Sequence, residues 1–155
     1  MKRIFIDQEK CEGCKSCTIA CMQAHRERPG TVYDLDLLDP QNEARHTIVR
    51  GDKGGYIPVF CRHCAAPDCV EACMSGALSK DPHTGHVQYD EKRCGSCFMC
   101  VMSCPYGNIK PDRVTRSKIL KCDFCKNDHE EPNCVKACPR KAIHVETVAF
   151  EGIAV

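Results

Sequence analysis

At 155 residues the chain has room for one compact domain or two very small ones, and 28% charged residues with a formal net charge of +1 exclude a strongly basic nucleic-acid binder. Sixteen cysteines are counted in the 43% hydrophobic fraction, and tryptophan is absent. Without the cysteines roughly a third of the chain is apolar, too little for a conventional oily core, so metals or disulfides must add cohesion.

No stretch approaches the roughly 20 apolar residues of a membrane span. The start, Met1-Lys-Arg-Ile-Phe-Ile-Asp7, holds only a short apolar run where an export signal has a longer one. A cytoplasmic, reducing setting is expected, in which cysteine patterns more often mean metal than disulfides.

Lys2 to Asp7 reads as a short strand leading into the first quartet, Cys11, Cys14, Cys17 and Cys21, spaced C-x2-C-x2-C-x3-C. This is the spacing that holds a cubane [4Fe-4S] cluster, with the fourth cysteine normally serving a neighbouring cluster. Cys17 to about Glu27 suits a helix that ends before Pro29-Gly30. Asp34 to Asp39 reads as surface loop, and Thr47-Ile-Val with Tyr56 to Phe60 reads as a hairpin across a Gly-rich turn.

The second quartet is Cys61, Cys64, Cys69 and Cys73, with Pro67 opening a helix through Cys73. Gly76 to Asp90 reads as strand, turn and strand, a compact spacer to the third quartet, Cys94, Cys97, Cys100 and Cys104-Pro105. Quartets two and three therefore read as one ferredoxin-type unit. Tyr106 to Pro111 closes the helix of that unit, and Lys110 to Lys121 then carries five basic residues against one acid. That run reads as charge balance beside anionic clusters rather than a docking face.

The fourth quartet is Cys122, Cys125, Cys134 and Cys138-Pro139, with a polar, acidic insert from Lys126 to Asn133. Ala142 to Glu146 supplies a final strand, and an apolar tail, Val148 to Val155, follows. If the inner quartets pair, the outer two are left to each other. The pattern then gives four ligand sets: Cys11, Cys14, Cys17 with Cys138; Cys122, Cys125, Cys134 with Cys21; Cys61, Cys64, Cys69 with Cys104; and Cys94, Cys97, Cys100 with Cys73. The fold class is α+β, two nested bacterial-ferredoxin-like modules, the outer from 1–57 plus 110–155 and the inner from 58–109.

Four-cysteine zinc sites use separated C-x2-C pairs, whereas quartets one and three each form a tight trio plus a fourth cysteine three residues on. Four complete [4Fe-4S] sites is the simplest count, and it moves the formal charge from +1 to about −7 oxidised and about −11 reduced. His63, between Cys61 and Cys64, reads as a group tuning a cluster rather than a ligand. His25, His46, His83, His86, His129 and His144 read as surface or structural, and Tyr33, Tyr56, Tyr89 and Tyr106 as core. Nucleotide fingerprints, P-loops and nucleophile motifs are absent, so no catalytic residue is assigned and electron transfer is the chemistry that remains.

The four-quartet order from Cys11 to Pro139 resembles the four-cluster ferredoxin-like subunits that accompany molybdenum, tungsten and nickel redox enzymes, including the iron-sulfur subunits of the dimethyl sulfoxide reductase class. Cys64-Ala-Ala-Pro-Asp-Cys69, Ala72-Cys73-Met-Ser-Gly76 and Cys97-Phe-Met-Cys100-Val-Met-Ser-Cys104-Pro-Tyr-Gly107 look most like the small electron-transfer proteins of carbon monoxide dehydrogenase and tungsten aldehyde oxidoreductase. The resemblance implies a non-catalytic subunit relaying electrons between a catalytic subunit, such as these or a formate dehydrogenase, and a second electron carrier or flavoprotein. Nucleic acid and a membrane span play no part in it. A free polyferredoxin and a zinc-binding interaction protein are the alternative readings.

Overall fold

In chain order the computed structural model, which describes residues 1–52, 54–126 and 131–149, contains β1 (Lys2–Ile6), α1 (Ser16–His25), β2 (Thr47–Arg50), β3 (Tyr56–Val59), α2 (Asp68–Glu71) and β4 (Leu78–Lys80). It continues with β5 (Val87–Tyr89), α3 (Met99–Ser103), β6 (Lys110–Pro111), β7 (Ile119–Leu120), α4 (Asn133–Lys136) and β8 (Ile143–Thr147). The strands form four antiparallel pairs: β1 with β8, β2 with β3, β4 with β5 and β6 with β7. This is a small mixed fold of short elements, consistent with the ferredoxin-like class.

Two of the pairs are built alike. In β4–β5, Leu78 faces Tyr89, and the ladder is prolonged by Asp90 N–H donating to Ala77 O at 2.8 Å. In β1–β8, Ile6 faces Ile143, and Asp7 N–H donates to Ala142 O at the same 2.8 Å. Each pair joins the strand after one P-x-C-x3-C helix to the strand before one C-x2-C-x2-C run. Those helices share five of seven residues, Pro67-Asp-Cys-Val-Glu-Ala-Cys73 and Pro132-Asn-Cys-Val-Lys-Ala-Cys138, each with proline at the N-cap. Between β4 and β5 the connection is a short turn, whereas β1 and β8 lie at opposite ends of the described chain.

Helix α1 packs on α4, and α2 packs on α3. Two hydrophobic cores result. One gathers Cys17, Phe60, Cys134, Val135 and Ile143, with Ile4, Ile6, Ile48, Cys138 and Val145 against them. The other gathers Leu78, Val87, Cys100, Ile109 and Ile119, with Cys69, Cys73, Phe98 and Cys104 against them. Phe60 and Ile119 each cross between the segments read from sequence: Phe60 of segment 58–109 sits in the first core, and Ile119 of segment 110–155 sits in the second.

Most expected elements stand where the pattern put them, with α1 one residue earlier at its start and ending at His25. One reading changes. Tyr106 to Pro111 does not close a helix, since α3 stops at Ser103 and Lys110 already opens the β6–β7 pair. The segment from 34 to 39 carries one inward residue, Leu35, at 8% exposure. Residues 127–130 of the acidic insert, His129 among them, and residues 150–155 of the tail fall outside the described residues.

Ile143 is 2% exposed at the centre of the first core. Ile143→Ala is expected to destabilise the metal-loaded protein by about 2–5 kcal/mol, measured as a lower urea midpoint with unchanged slope. Thr147→Ala at the exposed end of the same strand should stay within about 0.5 kcal/mol of the parent.

Candidate metal centres

Each quartet begins with a loop that turns through the left-handed region at the second residue after its first cysteine: Gly13, His63, Ser96 and Phe124 all have positive φ, from 44° to 69°. Quartets one and three add a second such residue, Lys15 and Phe98, at the N-caps of α1 and α3. Alternating right- and left-handed residues aim successive N–H groups into one concavity, which suits an anion. Only Gly13 adopts this conformation without cost. A Cβ there would also lie 2.5 Å from the Tyr56 ring, which lies over the first loop.

After the fourth cysteine of three quartets, a tight turn again uses positive φ, at Gly76, Gly107 and Lys141. These turns bring backbone donors to sulfur: Leu78 N–H to Cys73 Sγ at 3.4 Å, and Ala142 N–H to Cys138 Sγ at 3.2 Å. Burial opposes ionisation of Cys73, but the Leu78 donor outweighs it and lowers the thiol. Cys21 Sγ accepts from Arg45 N–H at 3.4 Å.

Two enclosed cavities are each lined by four cysteines from two distant runs. Cys21, Cys122, Cys125 and Cys134 line one, together with His25, Arg45, His46 and Phe60. Cys61, Cys64, Cys69 and Cys104 line the other, together with His63, Tyr106 and Asn108. These are the second and third ligand sets expected from the spacing. The cavities adjoin along the chain, since Phe60 lines the first and its neighbour Cys61 lines the second. In the remaining sets, Cys17 feels Cys138 and Cys14, and Cys100 feels Cys73 and Cys94. Cys14 and Cys97, one in each of these sets, are the exposed cysteines.

All sixteen cysteines are free thiols. Burial pushes Cys17 and Cys69 up to about 11 and Cys122 up to about 12, and raises Cys134 as well. Such thiols stay protonated unless a cation shares their cavity, and metal binding releases their protons. Four soft thiols around an enclosed space, fringed by backbone N–H groups, fit a [4Fe-4S] cluster. The one mixed group, His25, Asp123 and Cys125 within 4.8 Å, is committed elsewhere, since His25 Nε2 already bonds Asp123 at 3.0 Å.

Several histidines do more than the sequence reading allowed. His25 lies one helical turn after Cys21, bonds its carbonyl at 2.8 Å and reaches Asp123, which also pairs with Arg45 at 3.0 Å. Burial opposes charging of His25, yet Asp123 and Cys21 outweigh it and raise the imidazole to about 9. Burial likewise opposes ionisation of Cys21, but His25 and His46 bring it down to about 6. His46, 3% exposed, stacks on Phe60 at 4.4 Å. The Cys21-x3-His25 spacing was a usable signal. His46, far from any cysteine in sequence, offered none.

His63 is 2% exposed and stacks against His86, which in turn stacks on Phe124. Its Nδ1 accepts from Val87 N–H at 3.0 Å, which places the ring proton on Nε2, a buried atom without a protein partner. Burial, then the charge of Lys121, holds this imidazole well below its usual range and so neutral. Tyr106 carries the Arg62 guanidinium 4.3 Å above its ring. Tyr33, read as core, is 94% exposed instead, and Tyr56 is 37% exposed. His83 is exposed, and exposed His144 pairs with Glu146 at 2.9 Å.

A fold of short strands and helices that gathers free thiols from distant runs around two cavities fits an iron-sulfur electron-transfer protein. Residues 53–148 match the 4Fe-4S dicluster domain family, and the chain belongs to that family. The electron transport protein HydN of Escherichia coli strain K12 is 32% identical over 155 residues, covering 90% of this chain and 85% of HydN. The B subunit of the anaerobic dimethyl sulfoxide reductase of the same strain is 34% identical, covering 90% of this chain and 70% of that subunit.

The beta subunit of the NADH-dependent phenylglyoxylate dehydrogenase of Aromatoleum evansii is 37% identical over 93% of this chain, which spans 30% of that subunit. Among solved structures, the active-site complex BamBC of benzoyl coenzyme A reductase, in complex with zinc, superposes with a TM-score of 0.56 at 26% identity, covering 99% of this chain and 83% of that one. The chain is an electron-transfer protein, not a catalytic subunit, and its sixteen cysteines fit four [4Fe-4S] clusters. Among the described residues no helix is long and apolar enough to cross a membrane.

Gly13→Ala meets both the Tyr56 ring and an unfavourable φ of +69°. It is expected to lower bound iron by about a quarter, one cluster in four, measured by metal analysis of anaerobically purified protein. Gly95→Ala, in the third quartet, has open space around its Cβ and should keep the full complement.

Proposed function

We propose that the chain relays single electrons between a catalytic oxidoreductase subunit and a second redox protein. The observation that carries this reading is the grading of exposure: two enclosed four-thiol cavities adjoin at Phe60 and Cys61, while Cys14 and Cys97 in the remaining sets reach the surface. A conductor needs this arrangement, with accessible sites for partners and a dry interior between them.

The proposed ligand sets are those expected from spacing: Cys11, Cys14, Cys17 and Cys138; Cys21, Cys122, Cys125 and Cys134; Cys61, Cys64, Cys69 and Cys104; Cys73, Cys94, Cys97 and Cys100. The two cores and the repeated strand pairing support two nested modules, outer from 1–57 with 110–155 and inner from 58–109, exchanging Phe60 and Ile119 at their border. When bound, each cluster supplies a one-electron couple. The chain's own work is to hold iron through thiolates, to aim N–H groups at the sulfurs and to exclude water, all of which tune potential.

Relatives named as parts of dimethyl sulfoxide reductase and phenylglyoxylate dehydrogenase, together with the BamBC likeness, support a catalytic oxidoreductase subunit as the partner, and a molybdenum, tungsten or nickel enzyme is the kind proposed. Tungsten aldehyde oxidoreductase, carbon monoxide dehydrogenase and formate dehydrogenase are the classes proposed. The second partner is an electron carrier or flavoprotein, in the cytoplasm.

Anaerobically purified protein is expected to hold about sixteen irons per chain, four in each of four clusters, and to give the EPR signals of reduced, interacting clusters. Stoichiometric zinc without such signals would sink the reading. Affinity purification of the tagged chain from its native cell should bring down a large catalytic subunit, and recovery of the chain alone would leave a free polyferredoxin.

A further inference from the structure

Lys121 ends the basic run and immediately precedes Cys122. It does not face solvent. The side chain is 4% exposed, and its ammonium donates to Val87 O at 2.6 Å and to Cys122 O at 2.7 Å. Val87 belongs to the second core, while Cys122 lines the cavity it shares with Cys21, Cys125 and Cys134. Val87 also lines the other four-thiol cavity, and its N–H holds His63. One peptide strand thus fixes both the neutral imidazole and the cation beside it.

The charge of Lys121 acts in both directions. It favours the ionised form of Cys69 in one cavity and of Cys122 in the other. It disfavours protonation of both His63 and His86, so neither ring competes as a cation there. Among the described residues no carboxylate forms an ion pair with Lys121. Asp123, two residues on, is already taken by His25 and Arg45, each at 3.0 Å. A buried ammonium held only by carbonyl dipoles is costly and calls for an anion nearby.

We propose that Lys121 is the shared counter-ion of the two enclosed cluster sites, raising the reduction potential of both. The proposal rests on the four-cluster reading above. Reduction of either site adds one electron and one negative charge, and the ammonium stabilises that added charge on whichever side it resides. Val87, which lines one site, and Cys122, which lines the other, both accept from this ammonium, so an electron passing between the sites leaves the summed charge on its two sides unchanged. The residue is a positioning and tuning group, not a ligand.

The test is an EPR-monitored redox titration of the full, anaerobically loaded chain carrying Lys121→Met, after iron analysis. Two of the four reduction steps should fall by at least a tenfold change in the reduction equilibrium, about 59 mV for a one-electron couple, with the other two unmoved. Lys121→Arg, which keeps the charge, should leave all four close to the parent. Lys118→Gln, which removes a partly exposed cation paired with Glu91 at 3.5 Å, should move none.

No shift in Lys121→Met, a shift in only one step, or an equal shift in Lys121→Arg would overturn the proposal. If Lys121→Met loses iron, Lys121→Gln, which retains N–H donors for the two carbonyls without the charge, is titrated by the same criteria. A parent protein lacking four reduction steps would instead overturn the four-cluster reading itself.

Discussion

Cys138 lies close enough to Cys17 for their charges to interact, although most of the chain separates them. What brings them together is the closure of the two ends: β1 on β8, α1 on α4, and the N-terminal ammonium donating to Val148 O at 2.8 Å. Closing so long a loop costs entropy that grows only slowly with length. Ladder hydrogen bonds and the buried Ile143, Val135 and Phe60 offset that cost. The two four-thiol cavities depend on contacts of the same kind, since each draws its cysteines from two distant runs.

With thiols converged, electrostatics becomes the second organising force. Cations stand at and behind the cavities: Arg45 and Arg62 line them, Arg45 also pairing with Asp123, while Lys121 is buried as described and Lys110 donates to the carbonyls of Ala44 and His46. Exposed pairs such as Lys10 with Asp7 and Arg140 with Glu12 contribute little to stability. The arrangement is that of a protein whose inner charge is chosen for an anionic guest.

Much of this was legible in the residues. Cysteine spacing picked out the two four-thiol sets that line enclosed cavities, and Gly/Pro punctuation with short apolar runs placed β1, the β4–β5 hairpin and β8. The basic run from Lys110 to Lys121, read as charge balance, divides in the structure: Lys121 turns inward, while Lys110 and Arg113 both pair with the part-buried Glu43, at 3.3 and 3.9 Å. What stayed hidden is conformational. His63, Ser96 and Phe124 carry no preference for the left-handed region, which costs an ordinary residue roughly 1–2 kcal/mol, and only the wrapping of a loop around a common centre explains them. The burial of His46 rests on its stacking with Phe60 one step beyond the Thr47–Val59 pair of the β2–β3 hairpin, and apolar alternation picks out such a hairpin without saying which polar neighbour it will bury.

The matched strand pairs, one closed by a short turn and the other by the chain ends, bear on how the protein is made. Synthesis from Met1 onward completes the segment from Cys61 to Cys104 while β8 does not yet exist, so the β4–β5 unit has all its parts first. Cys17, by contrast, packs with Cys134, Val135 and Ile143, which are made only after the first three quartets. It therefore stays unsheltered until nearly all of the intervening chain exists, and the time it spends reduced and unprotected is set by that synthesis.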